Sequence, residues 1–180
     1  MAVEEPKFVS VLKDGPFEVR DYAPRTEARV TLDETREAAM SRGFSVLAGY
    51  IFGSNAQNRK IAMTAPVLMA PDTPAPQPNS GTSDWTISFV MPAGMTAADM
   101  PPPGDPRIRF IDFAPARMAI LRFSGSAGAD RMEKKRADLT NWMAGRNLIP
   151  AGPPSLARYD PPWIPPFLRR NEVMIPIHSA

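Results

Sequence analysis

Apolar and polar positions alternate in "FEVRDY" (residues 17–22), where Phe17 and Val19 are set against Glu18 and Arg20. They alternate again in "ARVTL" (28–32), where Ala28, Val30 and Leu32 are set against Arg29 and Thr31. A period of two marks a half-buried strand, and with Pro24 between them the two runs read as a hairpin. Beyond residue 33 the period lengthens. Met40, Phe44, Leu47 and Ile51 fall at i, i+4, i+7 and i+11, one face of a helix. Asp33 or Thr35 is placed to cap its start, and Gly53 and Asn55 to close its end. Gly43 and Gly49 each weaken such a helix by about 1 kcal/mol relative to alanine, so their presence predicts a close approach of something to it.

"KIAMTAPVLM" (60–69) reads as a strand in which Pro66 calls for an edge or a bulge. "APDTPAPQPNSGTSD" (70–84) is too polar and proline-rich to pack and is expected to be mobile. "WTISFVM" (85–91) alternates with Trp85, Ile87, Phe89 and Met91 on one face, and a second loop, "PAGMTAADMPPPGDP", follows. The order then recurs. "RIRFIDF" and "ARMAILRF" are strands, and "ADRMEKKRADLTNWMAGRN" is a helix with Met132, Leu139, Trp142 and Met143 facing inward and Gly145 near its end. "SLARYDPPW" and "NEVMIPI" are the closing strands. Strand, strand, helix, strand, strand thus occurs twice without a residue-level repeat. The expectation is one α+β domain over residues 1–180, in halves of about 8–104 and 105–178, with two sheets curling together under two helices.

Composition narrows the chemistry more than the fold. At 180 residues and 43% hydrophobic, the chain can build a core without a staple. The absence of cysteine removes disulfides, thiolate metal sites and cysteine nucleophiles. A net charge of +2 and a pI near 9.1 describe a mildly basic surface rather than a nucleic-acid footprint; Lys134-Lys135-Arg136 sits between Glu133 and Asp138 as an ordinary helix face. "MAVEEPKFVS" carries charge where a signal peptide is apolar, and no run is long enough to span a bilayer. A soluble, cytoplasmic chain is expected, compatible with an upstream targeting or anchor segment. The single histidine, His178, stands near the terminus, and no nucleophile elbow, zincin motif or phosphate loop is present. "SGSAGAD" (124–130) reads as a plain connection into the second helix. The expectation is neither an enzyme nor a metal protein. Eleven methionines and fifteen aromatics leave apolar chemistry: core filling, or a pocket for a flat apolar ligand with arginines at its rim.

Four stretches sharpen that choice. "FEVRDY", "SRGFSVLAGYIFGSN", "KIAMTAPV" and "YDPPWIPPFLRRNEV" occur in this order, and together they closely resemble the SOUL/heme-binding protein family from about Phe8 to Ile177. The resemblance implies a monomeric, distorted β-barrel built from two similar halves, each a curled antiparallel sheet with one helix. It also implies non-enzymatic, reversible and non-covalent binding of heme, metal-free porphyrin or another tetrapyrrole in an apolar cleft, for carriage or buffering. By that resemblance the cleft lies between the first helix, around Arg42, Phe44, Leu47, Ala48 and Ile51, and the loop carrying Trp163, Ile164, Phe167 and Arg169. Met63 is then expected to pack beneath the helix.

Two departures bear on the ligand. Some family members have a histidine near the first helix, and this chain has none there; Gly49 stands where others have a basic side chain. Arg42, Arg169 and Arg170 are the candidates for the propionates. Coordination would fall to Tyr50, Tyr159, a methionine or His178, or be absent. Packing without a protein axial ligand is the expectation, with metal-free porphyrin binding nearly as well as heme. The alternative is a binding module for a different amphipathic small molecule.

Overall fold

The computed structural model describes residues 3–72 and 83–178, and most of the 70–84 loop lies outside them. Nine strands and two long helices run in the order β1 (Phe8–Asp14), β2 (Phe17–Tyr22), β3 (Arg25–Glu34), α1 (Arg36–Ile51), β4 (Val67–Pro71), β5 (Ser83–Val90), β6 (Arg109–Phe113), β7 (Ala116–Ser124), α2 (Ala129–Ala144), β8 (Ser155–Arg158) and β9 (Arg170–Pro176). The fold is α+β with antiparallel strands throughout the named pairs. No helix among the described residues is long and apolar enough to cross a membrane.

The chain divides into two compact units. One takes the residues up to Pro6 and Pro24–Ala114, and the other takes Lys7–Ala23 and everything from Pro115 onward. In the first, the strand order is β4-β5-β3-β6 with α1 packed on β3 and β5; in the second it is β1-β2-β7-β9-β8 with α2 packed on β7 and β9. The units do not follow the linear halves: the second takes β1 and β2 from the N-terminal part, and the first takes β6. β2 leaves its sequence neighbour β3 to pair with β7, while β6 leaves β7 to pair with β3. The expected β2–β3 hairpin does not form. β2 instead makes its hairpin with β1, a strand that the alternation in "FEVRDY" did not announce, through a turn in which Gly15 has φ +58.

Neither unit closes on itself. Among the described residues β1 pairs with β2 alone and β6 with β3 alone, so the expected barrel gives way to open antiparallel sheets. β1 shows why closure stops there: all seven residues are exposed and its register breaks around Val11, the bulged, solvated form of a sheet edge.

Each unit has its own core. In the first, Leu47, Ala48, Tyr50 and Ile51 of α1 pack with Val30, Ile87, Phe89 and Met91. In the second, Leu139 and Met143 of α2 pack with Val19, Leu121, Val173 and Ile175, and Met132 and Trp142 lie half-buried against them, as their spacing predicts. The 60–69 run differs from expectation. Residues 58–63 are irregular, Thr64 makes an isolated parallel bridge to Glu4, and the strand begins at Val67, after the cis Ala65–Pro66 bond. Proline has no N–H for a ladder, so pairing starts beyond it. "SLARYDPPW" likewise stops being a strand at Arg158, before its prolines.

Candidate functional site

Helix α1 starts as its sequence predicts: the Thr35 hydroxyl accepts from Ala38 N. Its buried stripe, however, is turned from the expected one. Ala39, Gly43, Leu47, Tyr50 and Ile51 face the core, because Gly43 lets the helix settle on Ile87. A β-carbon there would lie 2.4 Å from Ile87 Cγ1. Gly49 has no such neighbour; its nearest atom is Ser54 Oγ at 3.8 Å.

This rotation sorts the helix candidates. Leu47 and Ile51 are 0% and 1% exposed and Ala48 is buried, all inside the first core. Met40 is half-buried. Phe44 moves to the rim at 39% exposure, its ring edge-on to Phe89 at 5.4 Å. Arg42 is exposed, and its Nη1 donates to Glu34 Oε1 at 2.5 Å. Phe52, just past the helix and largely exposed, is an apolar residue that the heptad-like spacing left out. Met63 is half-buried against the same core. Asn55 holds the helix exit: its amide donates to the Tyr50 and Arg59 carbonyls, and its Oδ1 accepts from Gln57 N and Arg59 N.

The loop 159–170 of the second unit is tied at its stem and across its middle. Tyr159 N donates to Arg170 O, Asp160 Oδ2 accepts from Arg170 N at 2.6 Å, and the Arg170 guanidinium lies 3.5 Å over the Tyr159 ring. Arg169 reaches back into the loop, donating to the carbonyls of Ile164 and Pro162. Trp163 and Phe167 point into solvent, 79% and 72% exposed, while Ile164 is half-buried.

Below that stem lies a polar cluster that strand patterning did not reveal. Arg20 of β2 donates through both terminal nitrogens to Glu172 of β9, at 2.8 and 3.0 Å. Both side chains are buried. Arg20 also donates to Glu18 and to the Tyr22 hydroxyl, and the Tyr159 hydroxyl donates to Glu172 Oε2 at 2.7 Å. Buried charge persists because every partner is satisfied. Burial and the Glu172 carboxylate push the Tyr159 phenol far above its ordinary value. Burial, reinforced by Glu172 and opposed by Arg20, also raises Tyr22. Thus "FEVRDY" and "RRNEV" supply the two ends of one ion pair, a link 152 residues long that no local period encodes.

The two tyrosines among the candidates for axial coordination use their hydroxyls elsewhere, Tyr159 on Glu172. Tyr50 is buried and donates its hydroxyl to Pro101 O at 2.9 Å, and burial raises its pKa. His178 is exposed, with its backbone N bonded to Ile149 O. Among the described residues no group of three histidine, aspartate or glutamate side chains is arranged to hold a metal.

Comparison with known proteins adds identity to this geometry. The profile of the family described as SOUL heme-binding protein matches residues 3–176. Heme-binding protein 2 of Mus musculus is 29% identical over 128 residues, covering 71% of this chain and 61% of the mouse protein. Heme-binding protein 2 of Homo sapiens is 29% identical over 148 residues, covering 78% and 69%. The chain therefore spans less than two thirds of the mouse relative. Among solved structures, the EcmrR C-terminal domain superposes with a TM-score of 0.67 at 10% identity, over 91% of this chain and 98% of that one. A hydrolase from Listeria innocua gives 0.61 at 10% identity, over 93% and 94%. At such identities these structures share the fold alone.

Proposed function

The chain belongs to the SOUL heme-binding protein family, and from that membership we propose that it binds heme or a related tetrapyrrole, reversibly and without covalent attachment, as a carrier or buffer rather than an enzyme. The observation that carries the proposal is the family match over residues 3–176, joined by two relatives named for heme binding. A porphyrin has two apolar faces and carboxylate substituents; the first unit, taken by itself, exposes the Phe44 ring and the Arg42 guanidinium, and the second, taken by itself, exposes the Trp163 and Phe167 rings. Ile164 and Arg169 support the loop from within, and Leu47, Ala48 and Ile51 form the packed floor on which Phe44 stands.

Iron, when present in the ligand, would supply an axial position. This chain's tyrosines are poorly suited to fill it, because Tyr50 and Tyr159 keep their protons and already donate them to Pro101 and Glu172. Affinity on this reading comes from burial of apolar surface, at about 25 cal/mol per Å². Metal-free porphyrin should bind nearly as well as heme.

Titration with hemin and with protoporphyrin IX tests this directly. Equal, saturable Soret changes are expected with both. No change with either would turn the chain into a module for another amphipathic ligand, and time-dependent bleaching would make it an enzyme. Phe44→Asp should lower affinity at least roughly tenfold in a folded protein, because the ring is partly exposed. Leu47→Asp should instead unfold the first unit.

A further inference from the structure

Within residues 161–168, three large apolar side chains stand in solvent: Trp163, Phe167 and Leu168, 79%, 72% and 64% exposed. Single exposed hydrophobic residues are ordinary, but a cluster on one short loop calls for something to cover it. The backbone beneath them restricts what that cover is. Four of the eight residues, Pro161, Pro162, Pro165 and Pro166, have no N–H to offer. The carbonyls of Pro161, Pro162, Ile164, Pro165 and Pro166 accept from Ile164 N, the Arg169 side chain twice, Leu168 N, and both Arg169 N and Gly125 N. Irregular backbone is excluded from hydrocarbon chiefly because its polar groups lose water there. Here most of those groups need none.

Charge points the same way. The stretch 158–170 contains three half-buried cations, Arg158, Arg169 and Arg170, against one carboxylate, Asp160. The carbonyls and ring that Arg169 and Arg170 contact are uncharged, so that their positive charge is kept. Arg131, exposed, lies against Gly125, the residue that bonds to Pro166. Tryptophan and phenylalanine seat at the boundary between headgroups and acyl chains, and arginines beside them favour anionic lipid. We infer that the 161–168 loop docks on an anionic lipid surface, with Trp163, Phe167 and Leu168 entering the interfacial layer and the neighbouring arginines at headgroup level. This goes beyond the tetrapyrrole reading and does not depend on it, since it concerns the ligand-free protein.

The test is co-sedimentation of ligand-free protein with vesicles of phosphatidylcholine alone and of phosphatidylcholine mixed with phosphatidylglycerol. The mixed vesicles should capture the protein more strongly, and added salt should weaken capture. Trp163→Ser combined with Phe167→Ser should cut the bound fraction at least roughly tenfold. Both side chains are exposed, so the circular dichroism and melting temperature should stay unchanged. Brominated acyl chains should quench wild-type tryptophan emission, and Trp163→Phe should abolish that quenching. The inference fails if wild type does not sediment with the mixed vesicles or the double variant binds equally. It also fails if sedimentation equilibrium shows the double substitution breaking a dimer of a protein that ignores vesicles, because a second copy then covers the patch.

Discussion

Gly43 and Gly49 look interchangeable along the chain and are opposites in space. At Gly43 a β-carbon would lie 2.4 Å from Ile87 Cγ1 and 2.7 Å from its Cβ, deep in the first core. Gly43→Ala should therefore destabilise by about 1–3 kcal/mol, the overpacking cost exceeding the gain in helix propensity. Gly49 meets nothing closer than 3.8 Å, so Gly49→Ala should stabilise by about 0.5–1 kcal/mol. Denaturant midpoints of the two variants check this, and a higher midpoint for Gly43→Ala would show that α1 does not rest on β5 at Gly43. The two residues also show where sequence reading stopped. Glycine says that close approach is permitted, and the approaching atom comes from a strand more than forty residues away. Leu47 and Phe44 illustrate the same limit: both satisfy the helical period, and only the packing of Gly43 decides which is sealed and which reaches the rim.

Strands β2 and β9 both flank β7, and the Arg20–Glu172 pair ties them across it. Removing one partner leaves a buried charge without compensation, so Arg20→Leu should cost about 3–5 kcal/mol. Adding Glu172→Leu should then recover a large part of that loss, since the stranded carboxylate is gone. Equilibrium unfolding of the two single variants and the double measures the coupling. Strictly additive losses would mean that the pair does not act as a unit. The same network fixes the loop stem, because Tyr159 donates to Glu172 and stacks under Arg170. The exposed apolar tip at Trp163 and Phe167 thus sits on a scaffold of motif residues that themselves face inward.

Across the chain, alternation marked β2, β3 and β5, and the helical period marked both helices, because each of those patterns belongs to the segment itself whatever its partner. Pairing was not legible. β2 and β6 join the sheets of the opposite linear halves, and nothing in a strand's own alternation names its neighbour. For the candidate residues the sequence showed which are apolar, but not which are covered: Leu47 and Ile51 are sealed in the core while Phe44, Trp163 and Phe167 are exposed. One property of all three tyrosines follows from burial. Tyr22, Tyr50 and Tyr159, the full complement of the chain, are each shifted upward, chiefly by burial, with Glu172 adding to the effect at Tyr22 and Tyr159. In the folded chain their protons are retained at a pH where an unfolded tyrosine, with a pKa of about 10, loses its own. The folded state then binds more protons than the unfolded state. Stability is full below about pH 10 and declines as pH rises further toward the folded values. Phenolate absorbance followed with circular dichroism should show no ionisation until the protein unfolds, and then all three tyrosines titrating together. A tyrosine that ionises near pH 10 while the circular dichroism stays native would mean that its hydroxyl meets water, and Phe replacement at each position in turn would identify whether the Tyr50–Pro101 contact or the Glu172 cluster is the one that opens.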